Sequence, residues 1–173
     1  PFINAQNRYR ISANNTTAIF QGDLVIPKTD GTVTRYVAGT TNAVVGVFNG
    51  CFYTDPTTQK PTWKNYYPAS TNASDITAFV IDGPDTVFEI NASGTVAVTG
   101  LFSNYDVTNV TGNTQTGISY VQLDQSTANT TNTLPLMAID ISQDPNNSDT
   151  SATNANIVVR INNHFYKQNQ TGL

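Results

Sequence analysis

Residues 75–94 read DITAFVIDGPDTVFEINASG, and this stretch decides the fold class. Ile76, Ala78 and Val80 alternate with Thr77, Phe79 and Ile81, the two-residue period of a β-strand. Both faces of that strand are apolar, so it is central or covered by another part of the chain. Asp82-Gly83-Pro84-Asp85 is a turn signal. After it, Val87 and Glu89 face one way and Phe88 and Ile90 the other. Ala92-Ser93-Gly94 closes the stretch with a second turn.

The same pattern extends in both directions. β-Branched and aromatic residues mark further strands at 18–26, 32–38, 43–53, 95–99, 118–123, 134–142 and 156–162, beside those at 76–82 and 86–91. In the last of them Ile157, Val159 and Ile161 oppose Val158 and Arg160. Asp30-Gly31 and Ser93-Gly94 are hairpin signals. No window repeats at 3.6 residues, and the best helical turn is at 124–129, capped by Asp124 or Ser126. Residues 54–72 carry Pro56, Pro61 and Pro68 with Trp63, Tyr66 and Tyr67, which predicts an ordered excursion packed on a sheet. Residues 142–154 are polar and read as an exposed loop. Many short strands at this spacing predict an all-β, antiparallel β-sandwich or barrel, jelly-roll-like, without internal repeats. We expect residues 1–15 as an extended N-terminal arm and 16–173 as a single β domain.

Composition narrows the function classes. The chain has 173 residues, of which only 12% are charged, with a net charge of −4 and 10% aromatics. Thr (27) and Asn (21) fill the gap. A helical bundle would need more Ala, Leu, Glu and Lys. A disordered chain has fewer aromatics and more net charge. A nucleic-acid binder carries a basic surplus, whereas eight Lys plus Arg face twelve Asp plus Glu here. No run of 18 apolar residues is present, so no membrane span is expected. The first residues, Pro-Phe-Ile-Asn, show neither a basic n-region nor an apolar h-region, so synthesis in the cytoplasm without export is expected.

The candidates for chemistry lack partners. His164 is the single histidine, and no Gly-x-Ser-x-Gly elbow accompanies it. Cys51 is the single cysteine, so no disulfide forms within the chain, and its apolar strand makes it a small buried hydrophobe. Asp75, Asp82, Asp85 and Glu89 lie close in sequence, but Asp82 and Asp85 flank a turn that favours Asp for its own reasons. Glu89, the single glutamate, shares the face of Val87, and partial burial there would call for Arg35 or Arg160 as partner. The 144–149 loop is rich in oxygen ligands but lacks an EF-hand frame. One His and one Cys exclude a zinc centre. No phosphate-binding glycine loop exists. Asn-x-Ser/Thr sequons occur at Asn14, Asn15, Asn72, Asn91, Asn109, Asn129, Asn146 and Asn169, a number close to what this composition gives by chance. No catalytic, metal or cofactor site is therefore expected. Trp63, Tyr66 and Tyr67 suit a protein interface, a sugar platform or the cover of a sheet end.

Several segments in order carry a resemblance. They are Gln21-Gly22-Asp23-Leu24-Val25, Arg35-Tyr36-Val37-Ala38-Gly39, VVGVFNGCFYTDP (44–56), Pro61-Thr62-Trp63, Tyr66-Tyr67-Pro68, the opening stretch, TGISYVQLD (116–124), LPLMAIDIS (134–142) and IVVRINNHFY (157–166). This order resembles small head proteins of tailed bacteriophages, of the capsid decoration or cement type, over residues 22–166. The resemblance implies a non-enzymatic virion structural protein on the capsid exterior, made in the host cytoplasm. It implies a homo-oligomer, dimer or trimer, that clamps neighbouring copies of a major capsid protein and uses no cofactor, nucleic acid or membrane. Residues 1–12 are the candidate capsid-binding arm, through Phe2, Ile3, Arg8, Tyr9 and Arg10, although they would also suit a first strand in the chain's own sheet. Trp63, Tyr66 and Tyr67 are the other candidate partner-binding residues. The alternative is a carbohydrate- or receptor-binding β module of a phage tail or fibre, with those three aromatics as its platform. A hydrolase built on Asp82, Asp85 and Glu89 is the weakest reading.

Overall fold

The computed structural model describes residues 6–147, 149 and 151–167. The fold is all-β, with two antiparallel sheets packed as a sandwich. In chain order the strands begin β1 (Asn7–Arg10), β2 (Ile19–Phe20), β3 (Leu24–Pro27), β4 (Val33–Arg35) and β5 (Gly46–Thr54). There follow β6 (Pro61–Lys64), β7 (Tyr66–Tyr67), β8 (Thr77–Ile81), β9 (Val87–Asn91) and β10 (Asn104–Val107). The last three are β11 (Leu123–Asn129), β12 (Leu136–Ile141) and β13 (Asn156–Ile161). One sheet runs β1-β8-β5-β3-β4, with β6 paired to the far half of β5. The second runs β11-β10-β12-β13-β9, and β2 and β7 form a small ribbon.

Two cores result from the alternation in β3. Leu24 points into the core between the two sheets, with Tyr105, Leu123, Leu136, Ile157 and Ile161. Val25 points the other way, into a core beneath the ribbon with Ile19, Phe48, Cys51, Tyr53 and Tyr67. The first sheet is thus a middle layer where β3 lies. Buried polar groups tie the layers together, as burial requires. Asp106 of β10 accepts from the Tyr36 hydroxyl at 3.1 Å and from the Gly39 N–H at 2.6 Å. Asp23 accepts from the Phe20 N–H at 2.8 Å and the Ser119 hydroxyl at 2.5 Å. Burial nevertheless raises the Asp23 pKa above the usual carboxylate range.

Several local expectations are corrected. The stretch 124–129 belongs to strand β11 rather than a helical turn: Asp124 and Asn129 pair with Asp106 and Asn104 of β10, and the Thr127 hydroxyl accepts from the Asp106 N–H at 2.8 Å across the irregularity between them. The run 95–99 is not a strand: it enters a 3-10 turn at Val98–Gly100, so Ser93-Gly94 makes no hairpin. The run 18–26 breaks at Gly22 (φ 100°) into β2 and β3, which belong to different sheets. Asp30-Gly31 does close the β3–β4 hairpin, with Asp30 accepting from the Thr32 N–H at 3.0 Å. The 54–72 excursion supplies β6 and β7.

The expected arm divides. Asn7–Arg10 pair in register with β8 as an edge strand of the chain's own sheet. Asp82 fastens this strand, accepting from Asn7 Nδ2 at 2.9 Å and from the Tyr9 hydroxyl at 2.5 Å. Phe2 and Ile3 lie outside the described residues.

His164 pins the other end of the chain. It is fully buried and bridges Val44, and its Nδ1 accepts from the Tyr166 N–H at 3.0 Å. Burial, with the Lys167 charge nearby, lowers its pKa. The unfolded chain therefore binds a proton near the ordinary pKa of about 6.5, where the folded chain does not. Stability falls as pH drops below that value toward the lowered folded one. In urea titrations, His164→Gln is expected to flatten this slope relative to wild type; an unchanged slope would contradict the assignment.

Candidate functional site

The feature that stands out is a row of side chains across one face of the first sheet. Strand β5 carries an irregularity between Phe48 and Gly50, so Phe48 pairs with Val80 while Gly50 pairs with Phe79. This bulge adds one residue to β5 and resets its alternation. Cys51 and Tyr53 consequently enter the core under the ribbon, and Phe52 turns outward with 42% exposure.

Gly50 leaves a gap in the outward face. Its φ is 140°, and a Cβ there would sit 2.6 Å from the Trp63 indole. With no side chain in the way, Trp63 of β6 leans across β5 and meets the Phe79 ring at a centroid distance of 5.1 Å. On the far side of Phe79, the Arg8 guanidinium of β1 lies 5.7 Å from the ring centroid. Arg8 is opposite Phe79 and Arg10 opposite Thr77, so both arginines share this face. Phe52 lies opposite Trp63. The result is an indole–phenyl–guanidinium row over four strands, with Trp63 52% exposed.

This face continues the one that packs on the second sheet. Leu24 and Val47, which are paired, contribute to the inter-sheet core, whereas Phe52, Trp63, Arg8 and Arg10 are exposed. The first sheet therefore overhangs the second, and among the described residues nothing covers the overhang. Among the described residues the ion pairs are Lys28–Asp30 and Arg160–Asp85, and neither involves Arg8 or Arg10. A chain of net charge −4 thus presents, on the same face as an exposed tryptophan, two arginines that enter no ion pair among the described residues.

Three sequence candidates thus converge here: Arg8, Arg10 and Trp63. The others lie elsewhere. Tyr9 points to the opposite face, bonded to Asp82 and, at 2.8 Å, to the Tyr166 hydroxyl. Its burial and these contacts raise its pKa. Tyr66 stacks on Phe20 at 5.5 Å. Tyr67 is fully buried and is a core residue rather than a contact residue. Phe52 and Phe79 join this face although neither carries a local binding motif. Their signal was the strand at 76–81 that is apolar on both faces, and the phase break in GVFNGCFYT.

The remaining chemical candidates do not gather. Asp75 accepts from the Thr54 hydroxyl at 2.7 Å, Asp82 holds β1, and Asp85 faces Arg160 at 3.6 Å. Glu89 is exposed, not partly buried, and pairs with neither Arg35 nor Arg160. Burial pushes the Cys51 thiol up to about 12, so it is a poor nucleophile at neutral pH. Among the described residues no group of three or more His, Cys, Asp or Glu is placed to hold a metal ion. No helix among them is long and apolar enough to cross a membrane. Comparison with known proteins finds no matching family model, no similar curated protein and no similar solved structure.

The row depends on Gly50, which makes it testable. Trp63 is the single tryptophan. Gly50→Ala is expected to cost roughly 1–3 kcal/mol through strain at positive φ. It should also weaken the near-ultraviolet circular dichroism of Trp63 as the indole leaves Phe79. A variant with wild-type stability and spectrum would contradict the geometry.

Proposed function

We propose that this chain is a non-enzymatic structural protein of a tailed-bacteriophage virion, bound to the outside of the head and bridging neighbouring major capsid subunits. The observation that carries the reading is the bare overhang of the first sheet. Trp and Arg are the residue types enriched in interface hot spots, and here they share one exposed sheet face. A surface rich in neutral Thr and Asn limits like-charge repulsion between closely packed copies. The segment resemblance supplies the identity of the shell, and self-association as a dimer or trimer belongs to the same reading. Many weak contacts on a repeating lattice gain by avidity.

A carbohydrate-binding module is the second reading, favoured by the exposed Trp63 indole. It is weakened by the positions of Tyr66 and Tyr67, which do not join Trp63.

Purified heads separate the two. Heads carrying the protein are expected to survive heating to a higher temperature than heads lacking it. Trp63→Ala, or Arg8→Glu with Arg10→Glu, should weaken attachment about 30-fold, the size of a hot-spot loss of about 2 kcal/mol. Heads that burst at the same temperature with and without the protein would overturn the reading. A glycan array bound through Trp63, with no binding to heads, would favour the second one.

A further inference from the structure

The sandwich is not closed on all sides. Strand β9 ends the second sheet, with β13 on one side and, among the described residues, no ladder on the other. The Ala92 N–H donates to the Ala155 carbonyl at 3.0 Å, toward β13. By the two-residue period, Phe88 and Ile90 also turn their backbone groups toward β13, so Val87 and Glu89 direct theirs to the free side.

Beside that free edge lies a wedge. The segment 118–122 is tied to the end of β9, where Gln122 Nε2 donates to Asn91 Oδ1 at 2.6 Å. It then diverges to Gln21, to which the Ser119 N–H donates at 2.9 Å. Ser119 is held there by its hydroxyl bond to buried Asp23 at 2.5 Å. Between the two walls is a cavity of about 310 Å³, lined by Leu24, Val47, Phe88, Ile90, Val121 and Leu136 among others. It is separate from the Arg8–Trp63 row.

We propose that this wedge is a strand-acceptor site for an extended segment of a partner protein. The segment would add to β9, take hydrogen bonds from the backbone of Val87 and Glu89, and place alternate side chains in the cavity. Added strands gain affinity from main-chain bonds and specificity from such side-chain pockets. Charge sets the pattern further. Glu89 points outward at the middle of the edge, exposed and in no ion pair among the described residues. A residue opposite Glu89 shares its outer face, whereas its two neighbours point inward. The segment that fits reads apolar–Lys or Arg–apolar.

The test uses the full chain and synthetic peptides. Acetyl-TTIKVTT-amide is expected to slow hydrogen exchange of the Val87 and Glu89 amides at least tenfold at saturation. Acetyl-TTIEVTT-amide should bind about threefold more weakly, and acetyl-TTSKSTT-amide should not protect the edge. With Glu89→Lys, the preference between the Lys and Glu peptides should invert. Binding without edge protection, or an unchanged preference in Glu89→Lys, would overturn the proposal. So would protection that rises with protein concentration alone, which would make a second copy the occupant. Decanoate filling the cavity while no peptide binds would make it an acyl-chain site instead. None of these outcomes depends on attachment to heads, so this proposal and the decoration reading fail separately.

Discussion

One extra residue in β5 sets the character of this molecule. If β5 ran without the bulge before Gly50, Cys51 and Tyr53 would face outward and Phe52 would face the core. A one-residue slip in register sends a whole run of side chains to the other face. The bulge instead places Cys51 and Tyr53 under the β2–β7 ribbon, where both are buried. It also brings Gly50 to the outer face, the one residue type there that lets Trp63 cross the strand. Core and exposed row are therefore two consequences of the same backbone irregularity.

The middle layer explains why the exposed face exists at all. Around β3, the first sheet is covered on both sides, by the second sheet and by the ribbon. Toward β1, β8 and β6 only the ribbon side is covered. Rigid backing with a bare front suits adhesion, because the aromatic row pays little ordering entropy on binding. Asp82 contributes to that rigidity by holding β1, and with it Arg8 and Arg10, against β8.

The all-β class, the β3–β4 hairpin and most strands were legible in the sequence, since alternation reports local geometry directly. The two apolar faces of 76–81 were legible as well, and the structure supplies the reason: Ala78 and Val80 enter the ribbon core while Phe79 lies between Arg8 and Trp63. What was not legible depends on pairing between distant segments. Nothing near Arg8 announces Phe79 or Trp63, and the three meet only through the β1–β8–β5–β6 order. The stretch 124–129 is a strand rather than the expected turn for a similar cause. Asp124 and Ser126 are good capping residues locally, and the Asp124 carboxylate does accept from the Ser126 N–H at 3.0 Å. Pairing with β10 outweighs that local preference. Tyr66 and Tyr67, adjacent to each other and close to Trp63, looked like one platform, but strand alternation and the ribbon send them to different surroundings.

The central claim is that the bare overhang of the first sheet is the face that meets the shell. A cryo-electron microscopy reconstruction of an intact head tests it most directly. The expected result is density for this fold on the capsid exterior, with β1, β8, β5 and β6 toward the shell and Trp63 in contact with a capsid subunit. Finding the fold on the head with Trp63 facing solvent, or finding it only on the tail, would contradict it.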